Sequence, residues 1–397
     1  MMRLEDACEL IVDCPHSTAR DEGKGFPLIR TPNIGRGRFL LENVHRVSES
    51  VYNKRNARAV PKDDDIILAR EAPAGNVAII KNGVKMCLGQ RTVLLRPNKE
   101  VVNPDFLTYF LLAPEQQYGL LGTANGATVA HVNIPTIRNL KIKLPPLKTQ
   151  ERIGKILSAY DDLIENNQRQ IKLLEEAVQR LYKEWFVDLR FPGHENTKIT
   201  DGIPEGWRMA VLSEIASVNK ESISKQYPYD YVDYIDIGAV SKGQINSVTR
   251  LSTKDAPGRA KRIAFDGDVL WGMVRPNLKS YALVFHPKET SVFSTGFAIL
   301  HAEKVPFSFL YCHVTQDEFV SYLINCTNGA AYPAVKPSHF ENAVLLVPTD
   351  MVLSKFHSLV GQMFRQAEIL EQKNQQAIEA RDRLLPKLMS GEIEVEK

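Results

Sequence analysis

TQERIGKILSAYDDLIENNQRQIKLLEEAVQRLYKEWFVDL, from Thr149 to Leu189, holds one glycine and no proline, and its apolar residues recur at helical spacing. Leu157, Ile164, Ile171, Val178 and Trp185 return every seven residues, with Tyr160, Asn167, Leu174 and Leu181 in the complementary positions. That is a coiled-coil seam sustained over four heptads. The stretch from Asp350 to Met389 carries a matching seam: Val360, Ala367, Asn374 and Leu388 in one set, Met363, Leu370, Ala377 and Leu384 in the other, with Arg381 as the polar exception. Antiparallel pairing with Asn167 opposite Asn374 brings Ile171 to Leu370, Leu174 to Ala367, Val178 to Met363, Leu157 to Leu384 and Trp185 to Phe356. A buried Asn pair fixes register at some cost in stability; the alternative is that both amides tilt to solvent. A helix of about 38 residues spans on the order of 57 Å, long enough to act as a ruler.

The offset between the two seams, 203 residues, recurs through the chain. NGATVAHVNIPTIRNLKIKLP at Asn125–Pro145 is echoed by NGAAYPAVKPSHFENAVLLVP at Asn328–Pro348, with six ungapped identities. The same offset pairs Ile34-Gly35 with Ile237-Gly238, and DIIL at Asp65–Leu68 with DVLW at Asp268–Trp271. A period this long means duplicated domains, not a solenoid. Ahead of each helix lie short β-type runs (DIILAR, RTVLLRP, DVLWGMV, GFAILHA) broken by turn signals such as GRGR, APAGN, KNG and SKGQ. The expected class is α+β: two globular domains of mixed strands and short helices, separated by two long helices in an antiparallel coiled coil, with an internal pseudo-twofold repeat. The expected boundaries are 1–148 and 191–349 for the globular domains, 149–190 for the central helix, and 350–397 for the C-terminal helix and tail.

Bulk properties narrow the function. At 397 residues, 44% hydrophobic and 24% charged, the chain suits two soluble domains. It has no run of roughly 20 apolar residues and no signal core at its start, so a cytoplasmic protein without membrane association is expected. Its five cysteines (Cys8, Cys14, Cys87, Cys312, Cys326) are scattered without a CxxC pair and read as reduced structural thiols. Residues 1–149 carry 21 Lys and Arg against 15 Asp and Glu, a net of +6; residues 191–350 carry 15 against 17, a net of −2. The first half is ready for phosphates, whereas the second keeps only local clusters, GRAKR at Gly258–Arg262 and VRPNLKS at Val274–Ser280. Two related heads on a ruler suit a long repetitive ligand, for which duplex DNA is the leading candidate.

Four segments carry a family resemblance: DCPHSTA at Asp13–Ala19, LPPLKTQERIGKILSAYDDLIENNQRQIKLLEEAVQRLYKEWFVDLRFPG at Leu144–Gly193, GIPEGWR at Gly202–Arg208 and RDRLLPKLMSGEIEVE at Arg381–Glu396. Together they resemble the specificity (S, HsdS) subunits of type I restriction-modification systems, along the whole chain. The resemblance implies a target-recognition domain in each half, reading one part of a split DNA target, and the unlike net charges of the halves predict that the target is asymmetric. It also implies helices that set the spacer and dock two methyltransferase (modification) subunits, with restriction and translocase subunits joining through the complex. Such subunits are not enzymes and carry no cofactor; adenine methylation and ATP-driven cleavage lie on partner chains. The competing readings are a non-catalytic coiled-coil scaffold for proteins and an orphan specificity subunit.

The residues themselves show no catalytic constellation. There is no N/D-P-P-Y/F clamp for a flipped base, and DEGKGFP at Asp21–Pro27 lacks phosphate-loop spacing. Cys14 and His16 have no third orienting group, and KDDD at Lys62–Asp65 reads as a solvated turn, so no metal site is expected. Base readout needs forked or paired donors on loops that can enter a groove. In the first half the candidates are Arg36 and Arg38, Lys54, Arg55 and Arg58, Arg70, Gln90 and Arg91, and Thr128 with His131. In the second they are Lys242 and Gln244, Arg259, Lys261 and Arg262, Arg275 and Asn277, and Tyr332 with Lys336. The opening loops of the repeated stretch are expected to lie near the DNA, followed by a proline-limited turn, a last strand and the helix.

Overall fold

The structure is a computed structural model, and it describes residues 1–122, 131–224, 226–327 and 333–395. The chain divides into two compact units. Unit 1 joins Met1–Gln168 to Gln372–Lys397, and unit 2 is Arg169–Glu371.

Unit 1 contains β1 (Met2–Arg3), β2 (Cys8–Asp13), β3 (Phe26–Ile29), β4 (His45–Val47), α1 (Glu49–Arg55), β5 (Ile66–Ala69), β6 (Val77–Ile79), β7 (Cys87–Leu88), β8 (Thr92–Pro97), α2 (Pro104–Leu112), α3 (Pro114–Leu121), α4 (Ile134–Asn139), β9 (Lys141–Ile142) and the first part of α5 (Leu147–Tyr182). Its main sheet runs β2-β8-β5-β6, antiparallel throughout, with Ile66 opposite Leu95 and Leu68 opposite Val93. A second sheet, β4-β3-β7, holds the parallel pair β3–β7. The apolar runs do not alternate with polar residues because both faces of the main sheet are covered. Ile66, Leu68, Val93 and Leu95 face a core shared with α2 and α5, while Ile67, Ala69 and Leu94 face a smaller core on the other side.

Unit 2 contains the hairpin β10–β11 (Ile199–Thr200, Ile203–Pro204), β12 (Arg208–Val211), β13 (Ala216–Val218), β14 (Glu221–Ser222), β15 (Tyr231–Ile235), β16 (Val240–Ser241), β17 (Gln244–Ile245), β18 (Thr249–Ser252), β19 (Ala260–Ile263), β20 (Val269–Gly272), β21 (Tyr281–Leu283), β22 (Ser291–Ser294), β23 (Phe297–Ala302), α6 (Phe307–Val314), α7 (Asp317–Asn325), α8 (Pro337–Glu341), β24 (Val344–Val347) and the first part of α9 (Asp350–Ser390). Its sheet β13-β23-β20-β21 has the strand order of β2-β8-β5-β6. The segment β18-β15-β22, again with one parallel pair, has the order of β4-β3-β7, and β19 and β14 extend it at one edge. Val269, Trp271, Ala298 and Leu300 face the large core and Leu270, Phe297 and Ile299 the small one. Trp271 is fully enclosed because its indole N–H finds the carbonyl of Val314 at 3.0 Å.

Two local expectations need adjusting. The proline-limited turns are short helices, α4 and α8, each with proline in its first turn, where the missing N–H costs nothing. The central helix begins at Leu147, directly after Pro145-Pro146, and its last turn widens to a π-turn at Lys183–Val187, seating Trp185 in the core.

The long helices contribute to each unit separately. Within unit 1, Ile153 and Leu157 share a core with Leu385 and Leu388, and Asn167 Nδ2 donates to Asn374 Oδ1 at 2.9 Å. Both amides are buried, and Asn374 Nδ2 has no partner. Within unit 2, Val178 and Val360 share a core, and Trp185 lies 5.7 Å from Phe356, ring centre to ring centre. In each unit the two helix segments run antiparallel.

Candidate nucleic-acid interface

Two polar assemblies in unit 1 and one basic edge in unit 2 gather about half of the candidate residues. The first is centred on Asp161, a buried carboxylate on α5. Tyr109 of α2 donates its hydroxyl to Asp161 at 2.5 Å, and Arg381 of α9 pairs with the same carboxylate and with Asp382. Burial and then the Asp161 charge push the Tyr109 phenol well above its ordinary range, so it stays a donor. Arg38 approaches from the loop before β4. It bonds Asp162 at 2.8 Å, lies 3.5 Å from Glu165 and sits 4.0 Å from Asp161. Gly37 makes this approach possible: its φ is +101°, and a Cβ there would fall 2.4 Å from the Asp161 carboxylate.

The second assembly closes the end of the main sheet. Arg70, buried at the end of β5, donates to both oxygens of Asp13 at 3.2 Å, to the Val132 carbonyl at 2.9 Å, and contacts His131 Nε2 at 2.8 Å. His131 Nδ1 meets Glu71 at 2.5 Å, Arg91 pairs with Glu71 at 2.7 Å, and His16 with Asp13 at 3.0 Å. Arg70 and His131 are therefore joined, with Arg91 one carboxylate away. Arg55 is enclosed nearby, spending its guanidinium on the carbonyls of Leu88, Ser17 and Pro15, and Arg58 bonds the Asp13 carbonyl. Arg36, Lys54, Arg58 and Arg91 are exposed, and Gln90 is half-buried.

In unit 2, Arg259 and Lys261 are exposed on or beside β19, one of the two strands without a counterpart among the described residues of unit 1. Arg262 is partly enclosed, with its Nε unpartnered and its basicity lowered by burial. Lys242 and Gln244 flank Gly243 in the hairpin β16–β17, and Arg275 and Asn277 are exposed after β20, with Arg275 at φ +50°. Lys336 is exposed at the start of α8. Thr128 and Tyr332 lie outside the described residues.

The acidic turn Lys62–Asp65 is consumed by structure. Asp63 accepts from the Gly83 amide, Asp64 pairs with Lys81 and Lys99, and Asp65 with Arg96. No group of three His, Cys, Asp or Glu able to hold a metal occurs among the described residues. All five cysteines are free thiols; burial raises the Cys14 thiol, the wrong direction for a nucleophile, and pushes Cys87 up to about 11 and Cys8 to about 12. Among the described residues no helix is long and apolar enough to cross a membrane.

Residues 1–176 match the family described as type I restriction modification DNA specificity domain. Over 376 residues, covering 90% of this chain and 84% of the relative, the sequence is 27% identical to the type I restriction enzyme MjaIX specificity subunit of Methanocaldococcus jannaschii. The chain is similar to type I restriction enzyme specificity subunits over most of its length. The HindI specificity subunit of Haemophilus influenzae is 20% identical, with 92% of this chain and 94% of the relative covered. The fold matches the crystal structure of the type I restriction-modification S subunit from M. genitalium with a TM-score of 0.56 at 15% identity, covering 98% of this chain and 95% of that one.

The residues that sequence reasoning missed are Asp161 and Tyr109. Asp161 lies one position off the heptad seam, and its partners Tyr109, Asp162's partner Arg38 and Arg381 are far away in sequence. The signal that could have found it was Arg381, the one charged residue in a seam otherwise apolar but for Asn374, since a buried guanidinium demands a carboxylate opposite.

Proposed function

We propose that this chain is the DNA-reading subunit of a type I restriction-modification complex. Each globular part, residues 1–148 and 191–349, reads one half of a bipartite, asymmetric duplex target. The helical parts, 149–190 and 350–397, form an antiparallel coiled coil that sets the unread gap. They also dock two modification subunits, through which restriction and translocase subunits join. The chain performs no catalysis and carries no cofactor. One observation supports this most: both units present the same strand order, β2-β8-β5-β6 and β13-β23-β20-β21, each with its own share of both long helices. One mechanical plan is thus available for two half-sites and two copies of a partner. The basic groups exposed near the sheet ends, among them Arg36, Lys54, Arg58 and Arg91 in unit 1 and Arg259, Lys261 and Arg275 in unit 2, supply phosphate contacts and base donors. DNA affinity of the chain assembled with its modification subunit, measured against salt, tests the reading. Log affinity is expected to fall linearly with log salt, with a slope of about −0.9 for every phosphate neutralised. Absence of DNA affinity at low salt from a stable complex leaves a protein scaffold instead.

A further inference from the structure

We infer that Arg38 is a positioning residue and not a base reader: with Asp162 and Glu165 it forms a latch that fixes the pose of the unit 1 sheet on α5, and so the gap across which the target is read. The inference deepens the proposed function and rests on it. The loop that carries Arg38 is fastened at both ends of the linkage. On the sheet side, the Gly37 amide donates to the Val77 carbonyl at 2.8 Å, and the Ile79 amide donates to the Gly37 carbonyl at 3.2 Å, so the loop rides on β6. On the helix side the guanidinium reaches three acids on consecutive turns of α5: Asp161, Asp162 and Glu165. Asp161 is itself held by Tyr109 and Arg381, so the latch closes on a carboxylate that cannot swing away. The Arg38 side chain is only 13% exposed, and its fork is turned to these acids; a base reader needs that fork for guanine.

Unit 2 supplies an internal control. Gly243, also at positive φ, donates its amide to the Tyr281 carbonyl at the start of β21, the bond that Gly37 makes to Val77 at the start of β6. The next residue there is Gln244, which is exposed and uncharged. The loop is therefore shared, and the residue that follows its glycine is charged in unit 1 and neutral in unit 2.

The test uses the full chain with its modification subunit and maps methylated adenines genome-wide for three versions: unaltered, Arg38→Gln, and the double variant Asp162→Asn with Glu165→Gln. Asp162 is largely exposed and Glu165 partly so, and neither change touches Asp161, so the double variant keeps the buried group that folding requires. Thermal unfolding of each version is recorded in parallel. Both variants are expected to raise methylation several-fold at sites whose gap is one base pair longer or shorter, with both half-site sequences unchanged. A purely structural role would lower methylation at all sites together with the melting temperature, leaving the gap fixed, and that result overturns the inference. So does a changed base preference in Arg38→Gln with an unaffected double variant, the signature of a base reader. If the unaltered complex shows no split motif, the proposed function has failed before any variant is compared, and the inference falls with it.

Discussion

The two units share a plan and differ in what fills it. Where α5 and α9 meet in unit 1, two polar pairs are buried among apolar residues: Asp161 with Arg381, and Asn167 with Asn374. Adding or subtracting the 203-residue offset converts these to Phe364 with Val178 and Leu370 with Ile171, and in unit 2 all four are buried apolar residues. Tyr311 packs edge-on against Phe364 at 5.3 Å, inside an aromatic cluster with Tyr182, Trp185, Phe186 and Phe356. Polar residues in a seam specify register and partner at the expense of stability, whereas an apolar seam gives stability with less selectivity. The same fold thus holds one unit by direction-dependent bonds and the other by area and shape.

The largest effect expected from this contrast follows from opening the ion pair. Arg381→Ala leaves the Asp161 carboxylate buried with the Tyr109 hydroxyl and the more distant Arg38, 4.0 Å away, and should cost about 3–5 kcal/mol, read as a lowered urea midpoint. Replacing the whole group, Asp161→Leu with Arg381→Met and Tyr109→Phe, should recover most of that loss, because an apolar set replaces a buried pair at little net penalty. If the triple variant is as unstable as Arg381→Ala, the polar set is more than a specificity device. In unit 2 the same position answers to volume: Phe364→Ala should cost about 3–5 kcal/mol through the cavity it leaves, without rescue by charge.

A smaller effect separates the units by pH. His313, in the last turn of α6 with Tyr182 Oη 3.0 Å from its Nδ1, is held neutral by burial, its pKa lowered to about 4. The unfolded chain binds that proton near pH 6.5, so unit 2 keeps the full contribution above pH 6.5 and loses it as pH falls toward 4. The total loss is about 3 kcal/mol. Unfolding midpoints of the parent and of His313→Gln, compared at pH 7 and pH 4.5, should differ in their pH slope; parallel slopes break the assignment. The smallest effect is at the amide pair. Asn167→Ala strands the Asn374 side chain and should cost about 1–3 kcal/mol, while Asn167→Leu with Asn374→Ile, the unit 2 chemistry, should be neutral or stabilising. A loss in the double variant as large as in Asn167→Ala would contradict the register role.

These distinctions mark how far the sequence could be read. Leu157, Ile164, Ile171, Val178 and Trp185 announced the helices because one periodic force, burial of a stripe, sets all five. The strands at Ile66–Ala69 and Val269–Gly272 were legible for the same reason, although their two-sided burial hid which residues face which core. Arg38 and Arg70 were not legible as internal bonds. An arginine that will pair with Asp162, 124 residues on, or with Asp13, 57 residues back, looks identical in sequence to one that will meet a phosphate.

The most direct test of the account is a map of methylated adenines across host DNA, made by single-molecule sequencing after expressing this chain with its modification subunit. The account predicts one split motif with two unlike half-sites and a fixed unread gap, because two units of one plan and different chemistry read it. A continuous motif, two identical half-sites, or a stable complex that methylates nothing would contradict it.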